Sequence, residues 1–301
     1  MAVGMMRIRR YIQWGQLSLR NALLVPRLKR KLSVHAFPRA YTVVYAVDCS
    51  PEEQGESAAI KEAELLRLCR GMEVYCGNYV QFARIRVLCI GRNARVDRAP
   101  AWIQGWLNEP FGGGVWLREL NAALVFFQDN VPIRRIVLHE LSHALLDRLT
   151  NGFPYPIAIQ EGFARRAEYF VPSESGVSEW QRSSEAGAQA IRCLESRTGW
   201  MSIKDLLLFD AHLHWRRDMS AFARMTGWAF WLNLYLETLG SEASVLKAIL
   251  PQLRKCNVQT PIGVYEWLQE ATGMSETALE SAFLEFCNER ADELPPTEAS
   301  G

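Results

Sequence analysis

The chain has 301 residues, 49% of them hydrophobic and 22% charged, with a formal net charge of +1. This is the composition of an ordinary globular protein, long enough for one large domain or two small lobes. It provides no global field for nucleic acid and no apolar run of about 18 residues for a transmembrane helix.

The first 40 residues stand apart. Arg7, Arg9, Arg10, Arg20, Arg27, Lys29, Arg30, Lys31 and Arg39 occur with no acidic residue before Asp48. Ile8, Ile12, Leu19, Leu23 and Leu24 interleave with them, but no uninterrupted apolar core of a secretory signal exists. Residues 1–40 read as a basic N-terminal extension, open to three interpretations. One is a solvated tail, another a segment touching an anionic surface or partner, and the third a transit peptide in a eukaryotic source.

Residues 41–172 read as an α/β lobe. Tyr41–Val47 is β-branched and aromatic and predicts a strand. Glu56–Tyr79 has helical spacing, and Arg84–Ile90 alternates as a strand with one polar face. Pro100–Leu107 predicts a short helix. Gly112-Gly113-Gly114 reads as a flexible turn, because a phosphate loop needs a following helix and Lys-Ser/Thr. Val115–Leu117 and Ala122–Phe127 predict two strands leading into a helix with an N-cap at Asp129-Asn130 and Pro132 in its first turn. That helix carries Ile133, Ile136, Val137, Leu141, Ala144, Leu145 and Leu149 at helical spacing.

Residues 173–293 read as a helical C-terminal lobe. Glu179–Arg197 predicts one helix, and Ser202-Ile203-Lys204-Asp205 a capping box opening another. Asp218–Leu239 is long, apolar and Trp-rich, closing at Gly240. Helices near 242–255, 261–271 and 276–291 follow, and 294–301 is a flexible tail. The fold class expected is α+β: a small mixed sheet with helices, a central helix bearing a zinc motif, and a mostly helical C-terminal lobe. Seven scattered cysteines without a C-x-x-C pair read as free thiols of a reducing compartment. That favours a cytoplasmic location, with organelle targeting by residues 1–40 left open.

The zinc motif is His139-Glu140-Leu141-Ser142-His143, an H-E-x-x-H. Two imidazoles four residues apart share a helical face and can hold one ion, while the glutamate lies close enough to reach a water beside it. Random placement of 5 His among 301 residues yields the pattern roughly 0.007 times per chain. A catalytic zinc takes three protein ligands. The nearest third candidate is Glu161 in Ile159-Gln160-Glu161-Gly162-Phe163-Ala164, on a second helix predicted over 157–171 after Pro154 and Pro156.

H-E-x-x-H, 17 intervening residues and then E-G-F-A resembles the gluzincin metallopeptidases, in particular the aminopeptidase-like branch and its small peptidase MA-like relatives. The resemblance spans roughly 132–170. It implies that His139, His143 and Glu161 bind one Zn2+ and that Glu140 is the general base. It gives Gln160 a supporting role beside a zinc histidine, and Glu168 the role of holding the other histidine's free N–H. Glu168 also reads as a surface charge beside Arg165 and Arg166. Asp147, four residues after His143, reads either as another support for the ligands or, more readily, as a solvated helix-end residue. The resemblance further implies that one of the two strands before the helix holds an extended peptide by its edge.

The sequence departs from the family at the oxyanion donor. Arg224 stands where a tyrosine is expected and becomes the candidate for stabilising the oxyanion, with His212 and His214 as alternatives. The function expected is a zinc-dependent peptide hydrolase acting on a peptide or protein. The alternative is a zinc-binding, non-hydrolytic binding or regulatory module.

Overall fold

The computed structural model describes residues 32–37, 42–76, 85–92, 113–118, 121–129, 131–149, 156–168, 199–210, 219–239, 245–246, 248–249 and 261–291. The predicted helices at 100–107 and 179–197, together with His212, His214 and residues 1–31, lie outside them. The described chain is α+β, with a five-stranded mixed sheet. It forms two compact units, Met1–Leu66 with Gln81–Ala144, and Arg67–Val80 with Leu145–Gly301.

In the first unit the strands are β1 (Leu32–Phe37), β2 (Thr42–Val47), β3 (Ile85–Ile90), β4 (Gly114–Leu117) and β5 (Ala122–Phe126). Their order across the sheet is β1-β2-β3-β5-β4. β2, β3 and β5 run parallel, and the two flanking strands are antiparallel to their neighbours. The parallel strands are apolar and buried, with Val44, Val87, Cys89, Ala123 and Val125 almost wholly excluded from water, as parallel strands covered on both faces must be. Ile90, Leu117 and Leu124 form a cluster against Leu88, Val115 and Phe126.

The sheet starts earlier than the sequence predicts. β1 lies within the basic first 40 residues and pairs with β2 from Leu32↔Val47 to Phe37↔Thr42. Its Leu-Ser-Val-His-Ala-Phe run is too mixed to stand out beside the Arg/Lys cluster, and pairing with β2 supplies what local propensity lacks.

The helical stretch predicted over 56–79 is two helices, α1 (Pro51–Ala58) and α2 (Glu62–Cys76). α1 is mostly polar, so apolar periodicity misses it. It is started by a capping box: the Glu53 N–H donates to the Ser50 hydroxyl at 3.2 Å, and the Ser50 N–H donates to Glu53 at 2.7 Å. α3 (Ile133–Leu149) begins directly after Pro132, as expected. Asp129, predicted as part of its cap, has its carboxylate 3.4 Å from Arg92 Nε.

The second unit holds α4 (Ile157–Glu168), α5 (Ile203–Leu208), α6 (Met219–Thr238), α7 (Pro261–Thr272) and α8 (Glu276–Ala291). α6 is apolar on most sides and correspondingly buried through Met225, Trp228, Ala229, Phe230, Trp231, Leu232 and Leu236. Ser202 caps α5 as predicted, accepting from the Asp205 N–H at 3.0 Å. Glu280 of α8 adds to that cap by accepting from the N–H groups of Ile203 and Lys204 at 2.8 and 3.1 Å. Among the described residues no helix is long and apolar enough to cross a membrane.

Candidate metal centre

α3 positions the H-E-x-x-H by burying nearly everything around it. Val137, Leu138, Ala144, Leu145 and Leu146 are at most 1% exposed, so the helix has little freedom to roll. On it Glu140 is 3% and His143 9% exposed, while His139 is half-buried. The two imidazoles meet edge to face, with Nε2 of His143 3.1 Å from Nε2 of His139. Their spacing along the helix, one turn, makes the two side chains neighbours.

α4 brings Glu161. Its Ala158, Ile159, Phe163, Ala164 and Ala167 are buried, which fixes the face on which the carboxylate stands. The glycine in E-G-F-A has a packing reason: a Cβ on Gly162 would lie 2.5 Å from the carbonyl oxygen of Ala229 and 2.8 Å from Asn233 Cβ on α6. Only a residue without a side chain allows α4 and α6 so close. One turn on, Arg166 donates to Asn233 Oδ1 at 2.6 Å and pairs with Glu237.

His139, His143 and Glu161 each offer one ligand atom, and all these atoms lie within 4.8 Å of one another. The donor set fits a metal ion. A tetrahedral ion with bonds of about 2.0–2.1 Å to nitrogen spaces its ligand atoms by roughly 3.3 Å, close to the 3.1 Å between the two imidazole nitrogens. Two imidazoles, in their neutral form, and a carboxylate would present lone pairs to a cation.

Glu140 meets the sheet. Its side chain runs against the start of β4: a Cβ built on Gly114 would come within 2.7 Å of both Cγ and Oε1 of Glu140. Gly114, read from sequence as part of a flexible turn, opens β4 instead and abuts the motif glutamate. The readable signal was a glycine opening a strand pattern, which marks a close approach of backbone to something else.

The outer residues sort differently from expectation. Glu168 is 7% exposed, and Arg165 donates to it at 2.9 Å. Arg165 also donates to Thr226 at 3.3 Å. Glu168 is therefore a buried, ion-paired carboxylate and not a surface charge, and Arg166 is completely buried. Asp147 is likewise buried, at 7% exposure. Gln160 is half-buried on α4, next to Glu161. Arg224 lies on α6 against Gly199, where a Cβ would meet its Cδ at 3.0 Å. One turn on, Trp228 donates its indole N–H to the Gly199 carbonyl at 2.9 Å.

Thiol nucleophiles do not compete with this site among the described groups for which burial decides the matter. Burial, with help from nearby Glu53, pushes the Cys49 thiol up to about 11, and burial raises Cys89 and Cys287 further. All three are protonated at neutral pH, and the thiol is a weak nucleophile. In comparisons with known proteins, no family model and no curated relative matches the chain.

Proposed function

We propose that the chain is a zinc-dependent peptide hydrolase of gluzincin type, with His139, His143 and Glu161 as the residues that hold the ion. The observation that supports this reading is the convergence of those three ligand atoms within 4.8 Å beside a buried glutamate at the H-E-x-x-H position. Zinc held there supplies a Lewis acid that polarises a scissile carbonyl and acidifies a water.

The chain's own residues do the rest. Glu140 takes a proton from the attacking water on a carboxylate oxygen and passes it to the leaving amine, work typically contributing about 10²–10⁴-fold. The low exposure of Glu140 keeps bulk water from competing for that proton. Among the described strands β4 lies at the edge of the sheet, whereas β5 is paired on both sides. In this reading the free edge of β4 holds the extended peptide by main-chain hydrogen bonds. Arg224 remains the proposed oxyanion donor. Its packing against Gly199 favours a supporting part in the C-terminal helices equally well, so the two roles need separating by experiment.

The test uses zinc-loaded protein and a broad peptide library. Glu140→Gln is expected to keep its zinc and lose cleavage by about 10²–10⁴-fold. His143→Ala is expected to lose both zinc and cleavage. Full cleavage by Glu140→Gln would falsify the mechanism. Zinc-loaded wild type that cuts nothing leaves the non-hydrolytic binding module as the reading. Arg224→Ala is expected to lower kcat with KM unchanged if it meets the oxyanion, and to lower only the melting temperature if its part is packing.

A further inference from the structure

Two consecutive glycines run along one face of α3. A Cβ on Gly113 would lie 3.0 Å from Ile136 Cδ1, and one on Gly114 would lie 2.7 Å from Cγ and Oε1 of Glu140 and 3.0 Å from its Cδ. Ile136 and Glu140 are one helical turn apart and share a face. The backbone at the head of β4 therefore lies directly on that face.

The two glycines differ in kind. Gly113 has φ +109, a conformation that L side chains rarely adopt, and the Gly113 carbonyl accepts from the Phe126 N–H at 2.7 Å. Its glycine requirement is satisfied by backbone alone. Gly114 has no such φ and sits in regular strand, paired with Val125. Any residue could adopt its backbone. What excludes a side chain there is the carboxylate of Glu140. The facing atoms belong to the outer end of the Glu140 side chain, so a side chain at 114 displaces that end first.

We propose that Gly114 is a positioning residue for Glu140: the absent side chain at 114 is the space that sets where the carboxylate stands. The inference rests on Glu140 being the base, but the contact itself is testable without that reading. With alanine at 114, the end of the Glu140 side chain, 2.7 Å from the new Cβ, must shift by roughly 1 Å to reach ordinary contact. Displacements of that size cost about 10²-fold in a proton-transfer step, while ligand atoms on His139, His143 and Glu161 keep their places.

The experiment is a double-mutant cycle on the full-length protein. Gly114→Ala is expected to lower the melting temperature by roughly 3–8 °C through overpacking. The same substitution in a Glu140→Ala background, where Cγ, Cδ and Oε1 are gone, is expected to lower it by less than half as much. Gly113→Ala is the control: its strain is in φ, so its loss is the same in both backgrounds. Zinc content of Gly114→Ala is expected to equal wild type. If the Gly114→Ala loss is the same with and without the Glu140 carboxylate, the proposal is overturned. In protein that cleaves peptide, Gly114→Ala is expected to lose about 10²-fold in kcat with KM held. Unchanged kcat overturns the positioning role even if the stability coupling is present. Wild type without Glu140-dependent cleavage overturns the hydrolase reading, and the cycle then decides the proposal alone.

Discussion

Among the described residues, two of the places that bury ionisable groups balance them differently. Around Arg166 the protein supplies both signs: a fully buried guanidinium, the Asn233 oxygen at 2.6 Å, and the Glu237 carboxylate. Around His139, His143 and Glu161 it gathers three lone-pair donors on one point. Burial of a charge demands compensation in either case. The first cluster carries its compensation in the chain and reads as structure. The second, under the proposed function, would take a cation as well. A buried polar cluster is therefore no sign of function by itself. The sign is donors of a single kind converging.

The sharpest break in that contrast comes from Glu161. Glu161→Ala is expected to weaken zinc affinity by roughly 10³-fold, more than the 10–100-fold typical of an outer partner. Competition against a chromophoric chelator measures it. Affinity equal to wild type would remove Glu161 from the ligand set and leave the two clusters less distinct. The wild type should also be stabilised by free zinc, by about 4 kcal/mol at a thousand times the dissociation constant. Glu161→Ala should show little of that shift in a thermal melt.

The next largest effect tests the other cluster. Arg166→Met keeps most of the volume but strands the Asn233 oxygen in the interior. Glu237, a third exposed, can turn to water, which lowers the cost below that of a fully buried broken pair. A loss of about 2–4 kcal/mol in denaturant unfolding is expected, with zinc content per folded molecule unchanged. Zinc loss on Arg166→Met, in protein that still folds, would show that the two clusters are one.

The sequence made the candidate ligand residues easy to pick out because the chemistry proposed for them fixes both type and spacing. H-E-x-x-H and the later glutamate are legible without knowing what surrounds them, and Pro132 and Pro156 directly precede the helices that carry them. Contacts made across the chain are not legible that way. Gly114 looks like turn glycine until β4 is seen to lie on α3. Gly162 looks like a motif residue until α6 is seen 2.5 Å from its missing Cβ. Arg166 looks like a surface charge because nothing local announces Asn233 and Glu237, 67 and 71 residues away. Strand β1 was hidden for a related reason, since a strand among arginines is made by its partner β2 and not by its own composition.

Glu53 offers the finest test, because it is a third buried charge and one whose balance shifts with pH. Burial opposes its ionisation. The Arg92 N–H at 3.0 Å, the Ser50 N–H and hydroxyl, and the Arg92 charge outweigh that, so its carboxyl is held below the ordinary value of 4.5. A depressed folded value means the unfolded chain takes the proton first. The stabilisation is thus complete above 4.5 and is lost as pH falls through the lower, folded value. Glu53→Gln should cost on the order of 1 kcal/mol at neutral pH, as should Ser50→Ala, which removes the cap hydroxyl. The Glu53→Gln deficit should shrink toward zero on acidification below 4.5, and should be the same with or without zinc. Unfolding curves over a pH series read both. A deficit constant down to strong acid would mean that the hydrogen bonds to Glu53 do not prefer its charged form. A deficit that depends on zinc would mean that chain-balanced charges and the metal-binding group share one energetic unit.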